Sequence, residues 1–219
     1  MRKIALLLAI PIIAVILSSC TFVTTRVKDS YIQKEYIDKV KVPEKYKVGT
    51  KEIKFYVDKV VDSRKTKHVW RKQLYGMPVG APIKISNVPE TVKNVTIRAL
   101  KNTGWGIGNK KEKSDFFVTV DLKELEDKWG LLLHGWSVSK TTICVKNKKG
   151  ETIIRKDISY KDATPFAQVD LTMRFRGFVG LAVRTLYKSL LEFFSSPEFV
   201  NAIKEDYYNT HSVKQERAE

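Results

Sequence analysis

"SDFFVTVDLKEL", residues 114–125, sets Phe116, Val118, Val120 and Leu122 on one side of an extended chain and Phe117, Thr119 and Asp121 on the other. Period-two alternation of this kind is the mark of a strand with one buried face. Downstream, "LLLHGWSVSKTTICVKN" reads as a second extended run, and "NKKG" turns it into a third, "ETIIRKDISYKD". The Lys148–Gly150 turn between two β-rich runs predicts a hairpin, so three consecutive strands are expected here.

Helices flank this block. Upstream, "NVPETVKNVTIRALKNTG" carries Pro89 in its first turn, an apolar stripe of Val92, Val95, Ala99 and Leu100, and Gly104 suited to a left-handed close. Downstream, "MRFRGFVGLAVRTLYKSLLEFF" gathers Val179, Ala182, Val183, Leu186, Leu190 and Phe193 on one side, with Arg184, Lys188 and Glu192 on another. That moment predicts a surface helix packed on a sheet. Ser195 and Glu198 around Pro197 predict a capping box opening a short last helix, "PEFVNAIKED", before a frayed polar tail over 207–219.

Before these elements, "KEIKFYVDKVVDSR" alternates Ile53, Phe55 and Val57 with Lys54, Tyr56 and Asp58, a strand that breaks at Asp62, Ser63 and Arg64. Gly76, Pro78, Gly80 and Pro82 divide "KHVWRKQLYGMPVGAPIKIS" into short pieces, a hairpin or an irregular crossover. The expected fold class is α+β, a mainly antiparallel sheet with two principal helices on one face, over residues 51–206. Residues 20–50, Lys-rich and without a sustained period, read as an extended tether, about 30 Å end to end if flexible. Tyr31, Ile32, Tyr36 and Ile37 are its candidates for docking on the domain.

The first nineteen residues have the plan of an export signal: Arg2 and Lys3, an apolar run from Ile4 to Leu17, then small polar residues. As a helix the run spans only about 21 Å, short of the roughly 30 Å hydrocarbon core, so a permanent membrane span is not expected. "LSSC", residues 17–20, looks like a bacterial lipobox, and the likeness implies cleavage before Cys20 and acylation of that residue. More than one acyl chain there gives durable anchorage to a membrane.

The chain of 219 residues has a formal charge of +16, which falls to +14 without Arg2 and Lys3. Such a surface attracts anionic lipid, acidic glycan or nucleic acid, but no Arg-rich run, recognition helix or RNP-like motif argues for nucleic acid. With Cys20 committed to lipid, Cys144 has no disulfide partner and reads as a buried, inert thiol.

A catalytic set is not found. His68, His134 and His211 lack metal-ligand spacing, so no metal or other cofactor is expected. "GWGIGN", residues 104–109, lacks the third glycine of a dinucleotide fingerprint and follows a helix, so it reads as a flexible loop. Asp121, Glu124, Glu126 and Asp127 are interspersed with Lys123 and Lys128 and read as a solvated turn; as paired acid and base they would mark a hydrolase. Trp70, Tyr75, Trp105, Trp129 and Trp136 fall in loops or at strand starts, either forming a ligand groove or partner patch or closing the ends of the core.

With these elements in order the chain resembles the YajG-type envelope lipoproteins. The likeness lies in the lipobox cysteine, the strand running into Asp62, Ser63 and Arg64, "ALKNTGW", "FFVTVDL", the hairpin at "NKKG", and the long helix followed by "SSPEFVNAIKE". It covers about residues 51–205; the long tether and "YGMPVGAP" depart from it. The resemblance implies a lipid-anchored domain facing the periplasm, similar in general fold to transport-auxiliary and curli-secretion-type lipoproteins, with no catalytic residues. It implies a non-enzymatic binding or scaffold module, or alternatively a self-assembling or auxiliary subunit of an envelope transport or secretion complex. Partners would be the membrane through Cys20 and an envelope protein, anionic lipid or glycan. Thr21 stands where enterobacterial lipoproteins retained at the inner membrane carry aspartate, which leans towards the outer membrane.

Overall fold

The structure, a computed structural model, describes residues 25–74, 77–129, 135–164 and 176–216. Cys20, the signal segment and Tyr75 lie outside them. The three consecutive strands are present as a meander of β6 (Phe116–Trp129), β7 (Gly135–Asn147) and β8 (Thr152–Thr164), each antiparallel to the next. Gly150 takes φ +85° in the tight turn after β7, where the Asn147 side chain accepts bonds from the backbone N–H of Lys149 and Glu151 at 3.0 and 3.1 Å.

The strand β2 (Lys54–Asp62) lies parallel to β6, from Phe55 opposite Phe116 to Asp62 opposite Leu122. Two residues of "GWGIGN" form β5 (Gly106–Ile107), parallel to β2 on its other side. The sheet order is β5-β2-β6-β7-β8. The fold class is α+β as expected, with a mixed sheet whose long ladders are antiparallel. Parallel neighbours cannot be joined by a tight turn, and the helix α2 (Val88–Asn102) lies in the crossover from β2 to β6. Asn87 caps it by accepting the Glu90 N–H at 3.3 Å, and Val92, Val95, Ala99 and Leu100 are fully buried.

Beside it on the same face lies α3 (Arg176–Phe194), whose predicted stripe is buried throughout. The last helix, α4 (Pro197–Glu216), is twenty residues long. Its cap is Ser196, whose hydroxyl accepts the Phe199 N–H at 3.3 Å, while Ser195 donates back to Leu191 O. The expected frayed tail from 207 is instead helical to Glu216. Tyr207 is half-buried there, and Asp206 accepts a bond from Asn147 at 3.1 Å, tying the helix to the end of β7. No described helix is long and apolar enough to cross a membrane.

The segment expected as a tether is built into the fold from Thr25 onward. Strand β1 (Thr25–Val27) pairs parallel with β4 (Met77–Ile85), and β3 (Trp70–Leu74) pairs antiparallel with β4, giving a small second sheet, β1-β4-β3. A short helix, α1 (Asp29–Ile32), then passes into a wider π-type turn over Gln33–Ile37. Ile32 and Ile37 are 0% and 1% exposed, each worth about 1.5–3 kcal/mol of burial. Asn94 and Arg98 of α2 reach back to Asp29 and Asp38, both at 2.8 Å, and Val48 and Gly49 donate to Thr103 O at 3.1 and 2.8 Å.

Candidate functional site

Among the described residues, helices cover one face of the large sheet and none lies on the other. On β6, Leu122, Leu125 and Asp127 point inward because a bulge between Leu122 and Glu124 shifts the alternation by one residue. The four carboxylates read as a turn therefore belong to the strand, and they divide between its faces. Asp127 is buried and accepts from the Ser137 hydroxyl at 2.7 Å. Asp121, Glu124 and Glu126 sit on the other side.

There the charges form a network. Glu124 takes Lys128 at 2.6 Å and Lys140 at 2.7 Å, Lys128 also reaches Glu126 at 3.3 Å, and Asp121 holds Lys123. Partial burial opposes ionisation of Asp121 and Glu124, but bonds from Lys123 to the first and from Lys128 and Lys140 to the second outweigh it. Both carboxyls are held below the ordinary carboxylate range, so near neutral pH they are fixed anions. Lys128 is correspondingly raised by its bond to Glu124.

Beside this network, β6–β8 form an open concavity of about 700 Å³ lined by Lys123, Lys140, Thr142, Arg155, Asp157 and Ser159. Thr142 donates to Asp157 across the strands at 2.6 Å. Neither Asp121 nor Glu124 lines this concavity; both carboxylates are engaged by lysines instead. The surface offers cations and hydroxyls, the chemistry of an anion-binding face. Cys144 stands on this open face, half-buried between the inward-facing Ile143 and Val145, where a buried thiol was expected. A smaller cavity of about 230 Å³ opens between the docked tether and α3, with Lys41, Pro43, Tyr46, Tyr160, Arg184 and Glu192 in its walls. Burial, then the Glu192 carboxylate, pushes the Tyr160 hydroxyl up. Among the described residues no cluster of His, Cys, Asp and Glu suits a metal ion.

The aromatic candidates part company. Trp105 is 2% exposed, edge-on to Phe55 and Phe199 at 5.4 and 5.8 Å, and its Nε1–H donates to Phe194 O at 3.0 Å. It closes the core under Gly49 and has no surface for a ligand, which corrects its place among the binding candidates. The others lie elsewhere. Trp70 opens β3 and Trp129 ends β6, and Asp127 N–H donates to Val69 O at 2.8 Å between the two strands. Trp136, opposite Lys128 on β7, is half-exposed beneath the Lys161 ammonium at 4.6 Å.

Residue types on single strands did not disclose two groupings. The Lys123, Lys140 and Arg155 face needs the β6–β8 register, which the bulge displaces. Arg26 and Lys84 are direct neighbours across β1 and β4, a pairing invisible while residues 20–50 read as a tether. The signal available was the stretch between Asp62 and Glu90, which holds six cations and no carboxylate.

No family model and no curated protein matches the sequence. Among solved structures the chain is similar to a Xanthomonas campestris protein assigned to DUF330, with 11% identity over 85% of this chain and 98% of that one and a TM-score of 0.48. It is also similar to a PelC dodecamer subunit from Paraburkholderia phytofirmans, with 11% identity over 63% and 86% and a TM-score of 0.38. A third is a minor lipoprotein from Acinetobacter baumannii, with 10% identity over 65% and 91% and a TM-score of 0.36. At these identities and scores the likenesses carry neither activity nor partner to this chain.

Proposed function

We propose that the chain is a bacterial envelope lipoprotein, anchored through acylated Cys20 and acting as a non-enzymatic binding or scaffold module at the periplasmic face of a membrane, the outer one by the residue after Cys20. The observation that carries the reading is the signal-like segment ending in "LSSC", followed five residues later by a strand built into the domain. An anchor placed there restrains the whole folded unit. The open face of β6–β8, with its cations and hydroxyls and its carboxylates locked as anions, supports recognition of an anionic group over acid–base chemistry.

The test is metabolic labelling with palmitate followed by fractionation. Label and membrane residence in the wild type, with label lost in Cys20→Ala, support the anchor; equal labelling of the two overturns it.

One feature favours the alternative of a self-assembling or auxiliary subunit. Strand β8 is thirteen residues long and, among the described residues, forms an edge of the large sheet. Edges of that length template pairing with another chain, and light scattering of the detergent-solubilised protein separates an assembly from a monomer.

A further inference from the structure

The cavity of about 230 Å³ beside α3 has walls from three parts of the chain. From α3 come Arg184, Lys188, Leu191 and Glu192, whose spacing puts them on one stripe of the helix. From β8 comes Tyr160. It stands opposite the buried Ser139, so it faces the helix-covered side of the sheet, away from the open concavity. The third wall is the N-terminal segment between Val40 and Tyr46.

That third wall is a strap. Ile37 is buried at its start, and Val48 and Gly49 donate to Thr103 O at its end. Between these pins the backbone bonds among the described residues are local: Val40 N–H to Ile37 O, Tyr46 N–H to Pro43 O and Lys47 N–H to Glu44 O. No backbone bond among the described residues ties Lys41–Lys47 to the sheet or to α3. Protein interiors are ordinarily close-packed, yet the space beneath the strap equals the liquid share of about eight waters.

The lining selects an occupant. Leu191, 3% exposed, forms an apolar side with Val40 and Pro43, and the rings of Tyr46 and Tyr160 add flat surface. Lys188 is bonded to Asp162, and Tyr160 donates its hydroxyl to Glu192. Lys41 and Arg184 enter no ion pair among the described residues. With Asp162 and Glu192 set against Lys41, Arg184 and Lys188, one positive charge is left over, the complement of a monoanion. The guanidinium fork of arginine matches a carboxylate. The apolar side calls for a carbon body, and the volume, below the roughly 300 Å³ where drug-sized sites begin, keeps that body small.

We propose that this cavity binds a small carboxylate with a flat apolar body, its carboxylate on Arg184 and Lys41 and its ring against Tyr46, Tyr160 and Leu191. The site depends neither on the lipid anchor nor on the open face of β6–β8, so its test is separate from theirs. It is calorimetric titration of the detergent-solubilised full chain with benzoate, with benzyl alcohol, which keeps the ring without the charge, and with acetate, which keeps the charge without the ring. Benzoate should saturate one site and the other two should bind at least about tenfold more weakly. Arg184→Gln should weaken benzoate about tenfold, and Arg184→Lys less. Arg184 is exposed, so circular dichroism should show the same unfolding midpoint in all three proteins. Benzoate bridging the strap to α3 should also slow tryptic cleavage after Lys41 and Lys45 in the wild type and not in Arg184→Gln. Absence of saturable heat with benzoate overturns the site, as does equal binding of either control ligand, full affinity in Arg184→Gln, or saturation that leaves cleavage of the strap unchanged.

Discussion

Gly180→Ala separates a docked tether from a free one by the sign of its effect. Gly180 lies inside α3, where exchanging glycine for alanine ordinarily stabilises by about 0.8–1 kcal/mol. Here a methyl group at that position would overlap three ring carbons of Tyr36, which the turn over Gln33–Ile37 lays against the helix. Overpacking against a held ring costs about 1–3 kcal/mol. The net expectation is a loss of about 1 kcal/mol, or about 0.5 M in the urea midpoint at a slope of about 2 kcal/mol/M. In a Tyr36→Ala background the clash disappears and the same substitution should stabilise, so the double-mutant cycle should return a coupling of about 2–3 kcal/mol. The assay is urea unfolding of the four proteins followed by circular dichroism. A higher midpoint for Gly180→Ala alone, or a coupling near zero, refutes the docking of Tyr36 on α3.

Three further outcomes follow from the packing and the charge pairs. Trp105→Ala should cost about 3–5 kcal/mol, as Phe55→Ala does, and Trp105→Phe less; denaturant midpoints check this, and a near-neutral Trp105→Ala would return that residue to the binding candidates. Asp62→Asn should cost about 3 kcal/mol, because it strips the partner from Arg64, which is 2% exposed and bonded to Asp62 at 2.8 and 3.1 Å. The same pair sets an acid limb. Burial opposes ionisation of Asp62, but the Arg64 guanidinium outweighs it and depresses the folded pKa. Its contribution is therefore present above the unfolded value, near pH 4, and is lost as pH falls through the folded one; unfolding midpoints between pH 6 and 2.5 should flatten in Asp62→Asn. Glu124→Gln leaves Lys128 and Lys140 without a shared anion, and should lower stability by about 1 kcal/mol or less, an effect that shrinks in high salt.

The sequence disclosed those elements in which one periodicity holds from end to end. The stripes of α2 and α3 are buried residue for residue, and Phe116, Val118, Val120 and Leu122 form the inner face of β6. Gly104 takes the positive φ read for it, and Gly150, in the turn read as a hairpin, also has a positive φ. Legibility failed where the pattern changes phase. The bulge after Leu122 turns "KELEDKW" from an alternating strand into an apparent charged loop, so the outward carboxylates and the inward Asp127 looked alike. The tether conceals its docking because strand, α-turn and π-turn succeed one another within thirteen residues, too few for any period to register. Helix α4 buries Phe199 and Ile203 in its first turns, but its continuation past Asp206 is mostly polar and is tied down by contacts such as Asp206 with Asn147, which hydropathy does not record. Of the candidate site, the residues were visible and their grouping was not: strand register placed Lys123, Lys140 and Arg155 together, and register is a long-range property.

The contact between Tyr36 and α3 also orders events in time. The two segments are about 140 residues apart, and a chain is synthesised from its N-terminus at about 5–20 residues per second. For several seconds after Tyr36 is made, α3 does not yet exist and the ring has no helix to pack on. Completion of α3 then ends that interval, because only then can Tyr36 seat against Gly180. Docking of the N-terminal segment is thus a late event in folding, completed only when the helix that receives Tyr36 has been made.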